Sequence, residues 1–131
     1  YEILTCDWSS DVCSSDLNFD YDFISLQRDE GSEQCPSWVR KVPLDSWHQT
    51  RDAISSCDLV ISSCTSVAHL SGAMGIETWV VTPVMPYFLW ALDGDKTPYY
   101  DSIRLFRQEV FGDWTKPFES IKEQLEKRKI E

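Results

Sequence analysis

Residues 58–75 run Asp58-Leu-Val-Ile-Ser-Ser-Cys-Thr-Ser-Val-Ala-His-Leu-Ser-Gly-Ala-Met-Gly75. Leu59–Ile61 is the short apolar run that a buried parallel strand needs. Ser62–Ser66 is a small polar turn. Val67, Leu70 and Met74 then recur at helical spacing, and Gly75 supplies a stop. Strand, tight polar turn and helix start aim backbone N–H groups at an anion. With Thr65 as N-cap, His69 stands one turn in, and helical side chains lean toward the N-terminus. A phosphate is the natural ligand for such a turn. The same pattern also suits any βα unit whose histidine is a surface or satisfied core residue, and no glycine-rich fingerprint is present.

Upstream, Asp7–Leu17 (Asp-Trp-Ser-Ser-Asp-Val-Cys-Ser-Ser-Asp-Leu) matches one open frame of a common sequencing adapter, with Cys6 completing the match. Residues 1–17 are therefore set aside as a non-native N-terminal segment. The domain is expected to span residues 18–131, with its natural N-terminus cut short.

That leaves 114 of the 131 residues, enough for one domain with one core. The net charge is −10, and removing Glu2, Asp7, Asp11 and Asp16 brings it to −6. An acidic domain without a dense Lys/Arg run is a poor nucleic-acid binder, although a helix start and one or two cations can still hold a small anion locally. Of the five cysteines, Cys6 and Cys13 fall in the excluded segment. Cys35, Cys57 and Cys64 form no Cys-x-x-Cys pair, and the two histidines lack metal-ligand spacing, so reduced thiols, a cytoplasmic location and no metal are expected. No apolar run approaches the length a bilayer requires.

In order, Tyr21–Leu26 reads as a strand, Asp29–Pro36 as a polar loop and Trp38–Val42 as a short strand. Asp45 or Ser46 caps a helix carrying Trp47, Thr50 or Arg51, and Ile54 on one face, which ends near Ser56. After the central unit, Thr78–Val81 is a β-branched strand. Residues 84–100 are rich in proline and aromatic residues, as ligand-pocket walls or as a mini-core under a long loop. Ile103–Phe106 is a further strand. Pro117 opens a helix with Phe118, Ile121 and Leu125 on one face, acidic residues early and Lys127-Arg128-Lys129 late. Strands alternating with helices predict an α/β domain with a mainly parallel sheet, Rossmann-like and three-layered.

Several separated motifs keep one order: Asp58-Leu-Val-Ile-Ser-x-x-Thr65-Ser66-x-Ala68-His69-Leu70-x-Gly72-Ala73-x-Gly75, Thr78-Trp79-Val80-Val81, Trp90-Ala91-Leu92, Thr97-Pro98-Tyr99-Tyr100, Ile103-Arg104-Leu105-Phe106-Arg107-Gln108 and Gly112-Asp113-Trp114. Together with Phe23–Gln27 they resemble the C-terminal domain of heptosyltransferase-like glycosyltransferases, including bacterial fusions to tetratricopeptide repeats. The resemblance implies the C-terminal half of a GT-B enzyme that binds a nucleotide-sugar donor, needs no cofactor or metal, and transfers the sugar to an unknown acceptor, protein or glycan. It implies donor diphosphate on the N–H groups of Thr65, Ser66 and Val67, with His69 close by and Arg28 facing the same phosphates. Met85, Tyr87 and Trp90 are expected to line the base or sugar pocket. Many relatives carry Asp where this chain has Cys64, while a subgroup carries Ser-Ser-Cys-Thr. The catalytic base is expected from a missing N-terminal domain, so the chain alone is expected to be inactive. Two alternatives stand beside this reading: a non-catalytic packing or interaction domain, and a sugar-nucleotide epimerase fragment.

Overall fold

The computed structural model describes residues 2–6, 21–28 and 37–130. The adapter-like residues 7–17, the expected domain start at Asn18, the loop 29–36 and Cys35 lie outside the described residues. The described chain is an α/β structure whose sheet is parallel except at one edge.

Strands β1 (Glu2–Cys6), β2 (Asp22–Ser25), β3 (Arg40–Lys41), β4 (Leu59–Ser63), β5 (Thr78–Thr82), β6 (Lys96–Thr97) and β7 (Tyr100–Arg107) form one sheet in the order β3-β2-β1-β4-β5-β7-β6. Helices α1 (Trp47–Ser55), α2 (Ser66–Ala73) and α3 (Thr115–Ile130) connect or follow them. Glu2–Cys6, ahead of the adapter-like stretch, fills the slot between β2 and β4, with Leu4 opposite Ile24 on one side and Val60 on the other. The strand order therefore reverses direction between β1 and β4.

Alternation along the strands divides the core. Leu59, Ile61, Trp79, Val81 and Phe106 point to the face that receives Ile121 and Leu125 of α3. Val60 and Ile24 point to the other face, against Ile54 of α1 and Val67 of α2. Beyond them, Val80, Ile103 and Leu105 cluster with Ala68 of α2 and with Trp90. Period-two patterning thus buries both faces of the central strands, as a parallel sheet requires. Ties across the α3 side add direction: Tyr21 Oη donates to the Leu125 carbonyl at 3.0 Å, and Arg128 pairs with Glu77 at 2.7 Å.

Each helix begins and ends for local reasons. Ser46 caps α1 by accepting from the Gln49 amide at 3.3 Å, while Gln49 Oε1 reaches one residue past the cap to accept from the Asp45 amide at 2.6 Å. Helix α2 stops at Gly75, whose φ of 73° suits a residue without Cβ; its N–H and that of Ile76 bond back to Gly72 and Ser71. Helix α3 begins two residues before Pro117, because Asp113 Oδ1 accepts from the Thr115 amide at 2.9 Å. That bond holds the Asp113 carboxyl below its usual value.

Candidate functional site

Because β2 and β4 run parallel, their carboxyl ends share one edge of the sheet, beside the reversal in strand order where open α/β sheets hold ligands. The turn after β4 lies on that edge. Ser62 is buried, its hydroxyl donating to the Ser63 carbonyl, and Thr65 caps α2 in an extended conformation. The Thr65 N–H is already taken: it donates to the Ser63 carbonyl at 2.8 Å. The amides of Ala68 and His69 return to the Thr65 carbonyl. Among the described residues nothing accepts from the Ser66 or Val67 amide. The expected three-amide cradle is thus two amides, because the turn tightens by one local bond at Thr65.

His69 lies on the side of α2 that faces β7. Its Nδ1 is 2.9 Å from Tyr100 Oη, and its ring stacks on Trp90 with centroids 5.1 Å apart and planes 35° apart. It is half-buried, and no described residue takes Nε2. Arg28 stands on the other side of α2, beyond the end of β2. With β1 between them, β2 and β4 are separated by roughly 10 Å. The Arg28 guanidinium donates to the Asp45 carbonyl at 3.3 Å. The structure therefore brings Arg28 and His69 to one edge but not to each other.

Arg28 belongs to a feature that the residue pattern did not show. A cleft of about 370 Å³ opens between the ends of β2 and β3, lined by Ser25, Gln27, Arg28, Lys41, Leu44 and Asp45 among others. Among the described residues that line it, two cations, Arg28 and Lys41, stand against one carboxylate, Asp45. Leu44 also belongs to the α1–α2 core, which puts the cleft over the same face of the sheet as the start of α2. Nothing short of the pairing of β3 beside β2 marks this cleft, since Arg28 and Lys41 are thirteen residues apart in sequence.

The three residues expected to line a base or sugar pocket part company. Trp90, expected to line the base or sugar pocket, is only 1% exposed and packs in the core. Phe88–Trp90 forms a 3-10 turn that drives the indole inward, beneath His69. Met85 and Tyr87 are 86% and 65% exposed, the Tyr87 ring resting against that of Phe88 with centroids 4.5 Å apart. With Val84 and Phe88, and with Val110 and Phe111 after β7, they make an apolar rim on the carboxyl edge. Arg107 anchors the segment behind this rim: its guanidinium donates to the carbonyls of Trp90 (2.6 Å), Gly94 (2.8 Å) and Leu92. Arg107 carried no role in the sequence reading; the cluster of backbone carbonyls it serves is created by folding.

Cys57 is buried and its thiol donates to the Ala53 carbonyl at 3.1 Å. Cys64 packs half-buried against the Ala68–Trp90 cluster, a setting that suits a small apolar residue. Among the described residues there is no group of three His, Cys, Asp or Glu able to hold a metal ion, and no helix is long and apolar enough to cross a membrane. No protein-family model matches the chain, and neither a curated protein nor a solved structure matches it.

Proposed function

We propose that the chain is the Rossmann-like, three-layered donor-binding half of a GT-B glycosyltransferase, taking a nucleotide-sugar and passing its sugar to a protein or glycan acceptor. The observation that carries this reading is the pair of unclaimed amides, Ser66 and Val67, at the start of α2 on the carboxyl edge, with the Arg28–Lys41 cleft alongside. The donor diphosphate lies on the two amides, within reach of His69. Its nucleoside end extends toward the cleft, whose volume falls in the range of small-ligand sites. The acceptor and the base that deprotonates it belong to a facing N-terminal domain, a partner for which the apolar rim at Val84–Phe88 offers a contact surface.

The chemistry follows from where charge develops. As the sugar–phosphate bond breaks, negative charge grows on the departing diphosphate. Amide donors fixed by a turn stabilise that charge more than they stabilise the intact donor. Losing one such donor costs roughly 3–4 kcal/mol in comparable oxyanion sites. Cys64 packs half-buried against the core cluster, and this scheme asks no charge of it.

A second reading, a non-catalytic interaction domain, draws on the same apolar rim and on the thiol that replaces a carboxylate at Cys64. Calorimetric titration of the chain with ADP, GDP, UDP and their hexose conjugates separates the two. Saturable binding of one nucleotide, weakened by His69→Ala, supports the donor-binding reading. Absence of binding by all of them overturns it.

A further inference from the structure

Tyr100 reaches His69 from β7, its hydroxyl 2.9 Å from Nδ1. A phenol is a strong donor and a weak acceptor, while the bare nitrogen of a neutral imidazole is a good acceptor. The favoured sense of the bond is Tyr100 Oη–H donating to Nδ1. A neutral imidazole carries one proton, so an accepting Nδ1 leaves that proton on Nε2.

We infer that Tyr100 is a positioning residue that holds His69 in its Nε2–H tautomer, turning Nε2 into a hydrogen-bond donor toward the diphosphate. The ligand's identity here rests on the donor-binding reading above; the tautomer rests on the geometry alone. With the opposite tautomer, the Nε2 lone pair would meet an anion and repel it.

The surroundings are built to hold this pair. Trp90, only 1% exposed, packs against one face of the imidazole, and the Tyr100 ring meets it edge-on at 5.7 Å and 63°. Gly72 makes the seat for Tyr100. A Cβ at that position would lie 2.8 Å from Tyr100 Cγ and 2.7 Å from Ile103 Cδ1, closer than side chains pack. Glycine is required at Gly72 for this close approach, in contrast to Gly75, where the backbone conformation demands it.

The chain has two histidines, His48 and His69, so long-range proton–nitrogen spectra of the full chain at about pH 8.5, where histidine is ordinarily neutral, resolve each ring. His48→Gln assigns the signals. The native protein is expected to show the Nε2–H pattern for His69. Tyr100→Phe keeps the ring and its packing, and is expected to give a mixture of tautomers. It should also weaken whichever of ADP, GDP or UDP the native chain binds by about five- to tenfold. His69→Ala with Tyr100→Phe should bind no more weakly than His69→Ala alone, a result that general loosening would not give. An Nδ1–H pattern in the native protein, or an unchanged pattern in Tyr100→Phe, overturns the inference. The expected tautomers without binding of any of the three nucleotides would leave Tyr100's role standing and remove the donor-binding reading.

Discussion

Two segments leave the carboxyl edge of the sheet on neighbouring strands, and they treat their backbones in opposite ways. After β4, the turn 62–66 is polar and leaves the amides of Ser66 and Val67 without an acceptor. After β5, residues 83–95 have three carbonyls, those of Trp90, Leu92 and Gly94, claimed by Arg107 and turn apolar side chains outward at Val84, Met85, Tyr87 and Phe88. The first segment presents hydrogen-bond donors to a small anion; the second presents a greasy surface. Trp90 joins them, since it belongs to the second segment yet packs under His69 of the first. One lesson follows: a residue's place in a motif does not say whether its side chain faces the ligand or the core.

Breaking the link should have the largest effect. Trp90→Ala removes a fully buried indole and should cost about 3–5 kcal/mol in urea unfolding, because Ala68, Val80, Ile103 and Leu105 lose a shared partner. Next comes Arg107→Ala, which strands three carbonyls of the second segment. A loss of roughly 2 kcal/mol is expected, with faster proteolysis near Leu92–Gly94 but little change in the first segment. Equal protection of both segments in amide exchange would contradict that separation.

A third variant acts outside both segments. The Asp113 carboxyl is held low by its bond to the Thr115 amide. A depressed folded pKa stabilises above the unfolded value and is lost as pH falls through the folded one. Asp113→Ala should therefore flatten the acid side of the stability profile while leaving nucleotide binding unchanged. The smallest effects belong to the rim: Met85→Ser and Tyr87→Ser should each shift stability by no more than about 0.5 kcal/mol, as both side chains stand in solvent. A larger loss in either would mean that the rim is packed.

These contrasts show where sequence was a sufficient guide. The unit 58–75 was legible because an apolar run, a polar turn, helical spacing and Gly75 agree with one another, and the structure has β4, α2 and a left-handed stop in those places. For α1 the sequence offers Asp45 or Ser46 as the cap, and the structure takes Ser46. Strand β6 was not legible, since Lys96-Thr97 is too short to carry a pattern and exists only as an edge to β7. Strand β7 runs three residues earlier than the apolar core at Ile103 suggests, because Tyr100 extends past the start of β5 to meet α2. Glu2–Cys6 adjoins the adapter-like stretch, yet Glu-Ile-Leu-Thr-Cys has the residues a central strand needs and pairs on both sides. The cleft at Arg28 and Lys41 depends on which strands become neighbours, a tertiary fact that no local spacing encodes.

The central claim concerns the two open amides, and Ser66→Pro tests it with little collateral change. Ser66 is the first residue of α2, where proline fits a helix, and Thr65 before it is already extended at φ −111° and ψ 179°, as a residue preceding proline prefers. The substitution deletes one donor and leaves the fold in place. Calorimetry should show the affinity for the bound nucleoside diphosphate falling by at least about tenfold with an unchanged melting temperature. An affinity equal to that of the native chain would contradict the account.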